Sequence, residues 1–243
     1  MNSIIICEGH TDGILISYGL IKLSGYEYVR ASIVQKEANL SFTQIDINWY
    51  RKKGDYIGIV YAGGNDFTAV MSQIIERNRF QFDIFKILVI TDHDDITAEN
   101  GRLQNIRDII NNISCNDVFS LDIGKWNYID VIDELKQKNQ MAFYYMLIPQ
   151  QEFGAMETFV IKEIMKKGID EEIAANQTDF FVDNFRSDKF LRKRRERIKA
   201  KLSVLLSVIS PDRTFTTIDE YLKSVNWSEF EGYMDTFKPI LDI

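Results

Sequence analysis

Residues 87–95 read ILVITDHDD, a continuous apolar run that ends directly in acidic residues. A short, β-branched run without polar alternation is typical of a strand that is buried on both faces of a parallel sheet. Residues 4–12 repeat the pattern as IIICEGHTD. Each run therefore predicts a central parallel strand whose carboxyl end carries carboxylates.

These two acidic ends are expected to meet. Open parallel sheets bind their ligands outside the carboxyl ends of the strands. If the two strands are neighbours, Glu8, Asp92 and Asp94 converge in one crevice. Carboxylates so close together repel one another unless a cation lies between them, and hard oxygen ligands suit Mg²⁺ or Mn²⁺. The sequence thus predicts an acidic metal site.

The rest of the chain supports an α/β fold. Strands are predicted at residues 4–7, 26–33, 57–61, 87–90, 118–121 and 141–148, with residues 34–53 as a loop or insertion. Helical patterns between several of these strands predict βαβ units and a mostly parallel, Rossmann-like sheet flanked by helices.

Beyond Pro149 the apolar spacing becomes helical. Helices are predicted at residues 156–166, 190–209, 218–225 and 230–241. We therefore expect an α/β domain over residues 1–150 and a helical extension over residues 151–243 that packs on it.

The composition is that of a globular protein. The chain has 243 residues, and 45% of them are hydrophobic, so a sizeable core is available. No stretch approaches the roughly 20 apolar residues that span a bilayer, and no signal peptide is evident at the N-terminus. Cys7 and Cys115 are too few for a disulfide framework. These features predict a cytoplasmic protein that does not contact a membrane.

Charge is distributed unevenly. The net charge of −7 argues against a protein whose whole surface binds nucleic acid. Residues 186–201 nevertheless contain nine basic and two acidic residues. This basic segment is either a solvated helix face or a contact for a phosphate backbone, and the sequence leaves both readings open.

The acidic motifs resemble those of a known family. Glu8-Gly9 at the end of a first strand, with Asp12 four positions on, and Asp92-His93-Asp94 at the end of a later strand are similar to the motifs of the Toprim domain. That domain is shared by topoisomerases, primases, small RNA-maturation nucleases and OLD-family nucleases. The resemblance covers residues 1–125 and implies a Toprim-like fold.

Two further motifs resemble the OLD-like branch of this family. The Gly63-Gly64 pair looks like its glycine turn, and Gly154 with Glu157 looks like its second acidic motif. The C-terminal part, with Lys199-Ala200-Lys201 and Trp227, resembles small stand-alone Toprim proteins of unassigned function.

The resemblance implies a role for each matching residue. Glu8, Asp92 and Asp94 would hold Mg²⁺ or Mn²⁺, and Asp12 and Glu157 would hold a second ion if two are bound. Glu8 would alternatively act as a general acid or base, and Asp12 would alternatively serve only as a residue favoured at a helix N-terminus. Lys199 or Lys201 would stabilise charge during phosphoryl transfer.

Other candidate residues keep two readings. The amides of Gly63 and Gly64 would approach a phosphate, or these glycines only allow a tight turn with positive φ. His10 and His93 lie inside the motifs, where a loop position is favoured over an acid–base role.

Three functions are compatible with these residues. The first is a Mg²⁺-dependent nuclease or related phosphoryl-transfer enzyme acting on DNA or RNA. The second is a non-catalytic Toprim-like module that binds Mg²⁺ with a nucleotide or a nucleic-acid end, in a defence or repair complex. The third is a structural α/β domain with an accidental acidic rim. The sequence contains no P-loop, unlike full-length OLD nucleases, so an ATPase partner protein stays open, as does a homodimer.

Overall fold

The computed structural model describes residues 1–42, 45–93, 96–112, 120–212 and 217–243. Its strands are β1 (Asn2–Cys7), β2 (Glu27–Val29), β3 (Ile47–Lys52), β4 (Asp55–Tyr61), β5 (Ile84–Asp92), β6 (Trp126–Ile132) and β7 (Lys138–Ile148). Its α-helices are α1 (His10–Lys22), α2 (Ala31–Ala38), α3 (Gly63–Phe80), α4 (Ile96–Asn111), α5 (Met156–Met165), α6 (Ile169–Asn184), α7 (Arg194–Ile209), α8 (Ile218–Ser224), α9 (Glu231–Thr236) and α10 (Lys238–Leu241). A single 3₁₀ turn spans Trp227–Glu229.

The strands form one seven-stranded sheet in the order β2-β3-β4-β1-β5-β7-β6. The four central strands, β4, β1, β5 and β7, are parallel, whereas β2, β3 and β6 pair antiparallel at the two sides. β1 lies between β4 and β5, with Cys7 in register with Tyr61 on one side and Ile90 on the other. The expected mostly parallel α/β sheet with a helical C-terminal region is confirmed.

Helices cover both faces of the sheet, because the central strands are apolar on both sides. On one face, Ile5 and Leu88 pack with helix α1 and with the helices that follow residue 155. On the other face, Ile4 and Ile87 pack with α2, α3 and α4. The central strands are therefore buried in a three-layer α/β/α arrangement, as their unbroken apolar sequences predict.

The C-terminal helices share the core of the sheet. Tyr233 of α9 is fully buried against α1, where its hydroxyl donates a 3.4 Å hydrogen bond to the carbonyl oxygen of Leu15. Gly19 leaves the space that the Tyr233 ring occupies, since a Cβ at residue 19 would lie 1.8 Å from the Tyr233 hydroxyl. Segments more than 200 residues apart are thus joined in one hydrophobic core.

Several elements differ from the sequence expectations. Residues 34–53 are not a simple loop, because most of α2 and all of β3 lie within them, and β6 and α6 were not predicted. Strand β6 has alternating exposure, and α6 is largely exposed, so neither carries the continuous apolar run of a central strand. Helix α7 begins at Arg194, after the expected position 190. The strand expected at residues 118–121 falls partly outside the described residues, and residues 120 and 121 are not in a strand.

Candidate functional site

The carboxyl ends of β1 and β5 bring Glu8 and Asp92 to the same edge of the sheet. β1 ends at Cys7 and β5 at Asp92, and the two strands are parallel neighbours. Asp92 also contacts the start of helix α5, because its Oδ1 accepts a 3.3 Å hydrogen bond from the Met156 N–H. This contact places Glu157, the next residue, at the same edge.

Two arginines approach the Glu8 carboxylate from different helices. Arg195 Nη1 of α7 lies 3.4 Å from Glu8 Oε1, and Arg102 Nη1 of α4 lies 3.9 Å from Glu8 Oε2. Arg102 also donates a 3.1 Å hydrogen bond to the carbonyl oxygen of Asp92. Glu8 Oε2 is buried and, among the described residues, has no hydrogen-bond partner. One oxygen of this carboxylate is therefore poorly satisfied by the protein alone.

Asp12 is a buried acid beside this group. Its side chain accepts a 2.7 Å hydrogen bond from the Gly9 N–H, in the first turn of α1. Burial raises the pKa of the Asp12 carboxyl to about 7, and the negative charges of Glu157 and Glu8 add to the rise. The Gly9 hydrogen bond and the Arg195 charge act in the opposite direction without cancelling it. Asp12 is thus a buried carboxyl close enough to Glu157 and Glu8 for their charges to act on it.

Lys199 forms an ion pair with Glu157, as Arg195 does with Glu8. Lys199 Nζ lies 4.0 Å from Glu157 Oε1, and its residue follows Arg195 by one helical turn. Both basic side chains are about half exposed, at 52%, whereas the two carboxylates are largely buried. Helix α7 thus directs two long cationic side chains, Arg195 and Lys199, at the carboxylates at the carboxyl end of the sheet.

Two pockets open beside these pairs. The first has a volume of about 180 Å³ and is lined by Glu8, Asp92, Ala155, Arg194, Arg195 and Ile198. The second has a volume of about 260 Å³ and lies between Glu157 and Lys199 on one side and apolar residues of α7 on the other. The first pocket combines acidic and basic side chains, which suits a cation together with an anionic group such as phosphate.

Lys201, a further expected site residue, lies elsewhere. Lys201 turns away from the carboxylates, because its Nζ contacts Asp183 at 2.9 Å and Asp179 at 3.5 Å, both on α6. The expectation that Lys201 joins the site is therefore corrected: its position, two residues after Lys199, places it on another face of α7. Asp94 lies outside the described residues.

The glycine pair begins helix α3. Gly63 has a φ of +57°, in agreement with the reading that a glycine is needed for a tight turn. Its N–H donates a 3.1 Å hydrogen bond to the carbonyl oxygen of Glu8 and is not directed at a ligand. Gly64 follows within the helix. Gly63 therefore holds the backbone of Glu8, and an amide cradle for phosphate remains an expectation for Gly64 alone.

The two histidines are held by structural contacts. His93 Nδ1 lies 2.8 Å from the Pro149 carbonyl oxygen, and its Nε2 lies 3.5 Å from Glu99 Oε1. His10 packs its ring 5.1 Å from that of Tyr61. His93 lies in a loop after β5, as expected, whereas His10 is the first residue of α1, so the loop reading is wrong for His10.

The acidic side chains fit a hard divalent cation in their chemistry. The donors are carboxylate oxygens, and one of them is buried without a hydrogen-bond partner among the described residues. Burial, with a smaller contribution from Glu157 and Glu8, destabilises the Asp12 anion and raises its pKa. Across the described ranges, however, no three histidine, cysteine, aspartate or glutamate side chains stand close enough to hold one ion. Binding would therefore require the carboxylates to turn from their arginine and lysine partners to the ion.

Sequence reasoning missed Arg102 and Arg195 as site residues. Arg102 interrupts the apolar stripe of α4, next to the buried Leu103. Arg195 and Lys199 lie one turn apart in the basic segment, and this spacing was the available signal that one face of α7 carries cations.

Comparison with known proteins supports the fold. The structure is similar to the crystal structure of the hypothetical protein PH0156 from Pyrococcus horikoshii OT3, with a TM-score of 0.57 over 99% of this chain and 98% of that one. The two sequences are 13% identical, so the likeness shows the fold alone. No protein-family model and no curated protein matches the sequence. Within the described residues, no helix is both long and apolar enough to cross a bilayer.

Proposed function

We propose that this protein is a Mg²⁺- or Mn²⁺-dependent phosphodiester hydrolase of the Toprim type that acts on nucleic acid. One observation carries the proposal: Glu8 after β1, Asp92 at the end of β5 and Glu157 in α5 lie beside the basic face of α7 at the carboxyl end of the sheet. Acidic groups of this kind suit a divalent cation, and the basic face suits the phosphate backbone.

Four described carboxylates would hold the ion. They are Glu8, Asp12, Asp92 and Glu157, and Asp94 is the fifth expected ligand. A bound divalent ion supplies charge neutralisation and Lewis-acid activation at a phosphoryl oxygen. Because a raised pKa leaves Asp12 partly protonated near neutral pH, ion binding would be accompanied by proton release from this residue.

The basic side chains would exchange partners when substrate binds. Arg195 and Lys199 neutralise Glu8 and Glu157 in the described structure. With these carboxylates engaged by an ion, Arg195 and Lys199 would be available to a phosphate group and would form charge-assisted hydrogen bonds to it. Arg102, anchored on the Asp92 carbonyl oxygen, would keep Glu8 and Asp92 in their positions.

A second candidate is a non-catalytic module that binds nucleotides or nucleic-acid ends, on its own or within a larger assembly. The arginine contacts of Glu8 favour this alternative, because they already neutralise that carboxylate without a metal. In this case the pocket beside Arg194 and Arg195 would hold a phosphate, and no turnover would follow.

A cleavage assay distinguishes the two candidates. Linear DNA, supercoiled DNA and RNA are incubated with the protein and Mg²⁺ or Mn²⁺, and products are resolved on gels. We expect metal-dependent cleavage that falls at least about a hundredfold in Glu8→Gln and Asp92→Asn, because each removes a charged ligand. The matched control is Glu27→Gln, an exposed carboxylate on the edge strand β2.

The enzyme and the non-catalytic module predict different results in this assay. Cleavage that persists in Glu8→Gln and Asp92→Asn at unchanged stability would contradict the enzyme proposal. Binding of an oligonucleotide without turnover across several divalent metals would support the non-catalytic module instead.

A further inference from the structure

Large apolar side chains are exposed along one face of helix α6. Ile169, Ile173 and Phe180 are 74%, 54% and 69% exposed. At 100° per residue they lie within about 40° of one another around the helix axis. Phe181, one residue further along α6, and Phe190, six residues after its end, are 54% and 56% exposed. We call these five side chains the α6 patch.

The α6 patch is distinct from the face by which α6 joins the fold. Ala175, Thr178 and Val182 are the buried residues of this helix, and α6 packs against α5 and α7. A surface helix of a globular protein normally has one apolar face, directed at the core. Several large exposed apolar side chains on a second face indicate a binding surface, because soluble monomers rarely expose large apolar patches.

The charges at the two ends of α6 are opposite. Its first turn carries Asp170, Glu171 and Glu172 and no basic residue. The segment after its C-terminus, residues 186–193, contains four basic residues and one acidic residue. A 16-residue helix is about 24 Å long, so these two regions are too far apart to pair within one chain.

We infer that the α6 patch binds a second copy of this chain, with the two α6 helices antiparallel. In that arrangement the acidic first turn of each helix approaches the basic residues 186–193 of the other copy. A parallel arrangement would bring like charges together at both ends. Antiparallel pairing about the middle of the helix also sets Ile173 opposite Phe180 of the other copy, and twofold symmetry forms each contact twice.

The charges of α6 argue against nucleic acid or an anionic membrane as the occupant of the patch. Helix α6 contains five acidic residues and no lysine or arginine, so it does not suit nucleic acid or an anionic membrane surface. The inference is independent of the proposed function, since none of the five patch residues contacts Glu8, Asp12, Asp92 or Glu157 among the contacts of the described residues.

The oligomeric state of the full chain tests the inference. Light scattering coupled to size-exclusion chromatography, at about 10 and 100 µM protein, should give a dimer for the natural sequence. Phe180→Asp and, separately, Ile173→Asp should each raise the dimer dissociation constant about tenfold or more, because a charge would be buried in the apolar contact. Leu135→Asp is the control, since Leu135 is equally exposed but follows strand β6.

A charge exchange tests the antiparallel arrangement. Asp170→Lys with Glu172→Lys should weaken association, and so should Arg186→Glu with Lys189→Glu. All four changes together should restore it, since pairing across the two copies is re-formed with reversed signs. A natural-sequence protein that is monomeric at 100 µM, a dimer insensitive to Phe180→Asp and Ile173→Asp, or a fourfold variant weaker than either double variant would each overturn the inference.

Discussion

The Arg195 guanidinium lies 3.4 Å from Glu8, and this contact joins the C-terminal helices to the carboxyl edge of the sheet. Glu8 follows the first strand, whereas Arg195 is 187 residues later in the chain. The contact gives Glu8 a cation supplied by the protein itself. A divalent ion at this edge would compete with Arg195 for the same carboxylate.

Removal of Arg195 should therefore change metal and phosphate binding in opposite directions. We expect Arg195→Ala to tighten Mn²⁺ binding about two- to fivefold, the range for loss of one partly exposed ion pair. The same variant should bind a short oligonucleotide more weakly, because a phosphate contact is lost. Calorimetry for Mn²⁺ and fluorescence anisotropy for the oligonucleotide measure the two effects. Arg192→Ala is the control for metal binding, and weaker Mn²⁺ binding in Arg195→Ala would argue against competition.

Lys199 and Lys201 should have different effects, although both belong to the basic segment. Lys199 faces Glu157, whereas Lys201 is bound to Asp179 and Asp183 of α6. We expect Lys199→Ala to lower oligonucleotide affinity and to reduce the salt dependence of binding by about one unit of slope. Lys201→Ala should leave the slope unchanged and slightly lower the free energy of unfolding. Equal effects of both variants on the salt dependence would show that the two lysines are not separated as described.

Asp12 should make stability depend on pH. Burial, with the charges of Glu157 and Glu8, raises its pKa from 3.8 to about 7, so the folded protein keeps a proton that the unfolded chain has released. This contribution to stability is present below about pH 4 and is lost as the pH rises to about 7. Asp12→Asn should remove this loss and raise the free energy of unfolding at pH 8, by about 1.4 kcal/mol for each unit of pKa shift removed.

Chemical denaturation at pH 5 and pH 8, in chelator, measures the Asp12 effect. The asparagine side chain can still accept the Gly9 hydrogen bond, so the change removes mainly the charge. The difference in stability between Asp12→Asn and the natural sequence should be larger at pH 8 than at pH 5. A difference that does not vary with pH would mean that Asp12 titrates normally.

Two glycine substitutions test how the C-terminal helices pack. Gly19→Ala should destabilise the protein by about 1–3 kcal/mol, because its Cβ would collide with the Tyr233 ring in the core. Gly101→Ala, in helix α4, meets nothing within 4 Å and should stabilise by about 0.5–1 kcal/mol. Urea denaturation monitored by circular dichroism gives both values. An unchanged free energy of unfolding in Gly19→Ala would show that α9 does not pack against α1.

The central strands could be predicted from sequence because each one contains its own continuous run of apolar residues. β1, β4, β5 and β7 are buried on both faces, and each has a continuous apolar run that needs no knowledge of its neighbours. Strands β3 and β6 lie toward the sides of the sheet, where alternating and polar residues give a weaker signal. Helix α6 escaped prediction because its exposed apolar face obscures the usual single stripe.

The site was predictable to the extent that it depends on parallel strand ends. Glu8 directly follows β1 and Asp92 ends β5, and the sequence places both at strand ends. That β1 and β5 are neighbours was an assumption, which the strand pairing confirms. The pairing of Glu8 with Arg102 and Arg195 depends on how α4 and α7 pack, and no local pattern encodes that tertiary contact. The same reason explains why Lys199 and Lys201 could not be separated from sequence alone.

Mn²⁺ binding measured by calorimetry tests the central claim, that acidic side chains at the carboxyl edge hold a divalent ion. We predict saturable binding to the natural protein, a more than tenfold loss of affinity in Glu8→Gln and Asp92→Asn, and unchanged binding in Glu27→Gln. Absence of saturable binding to the natural protein, or equal affinity in Glu8→Gln and Asp92→Asn, would contradict the account.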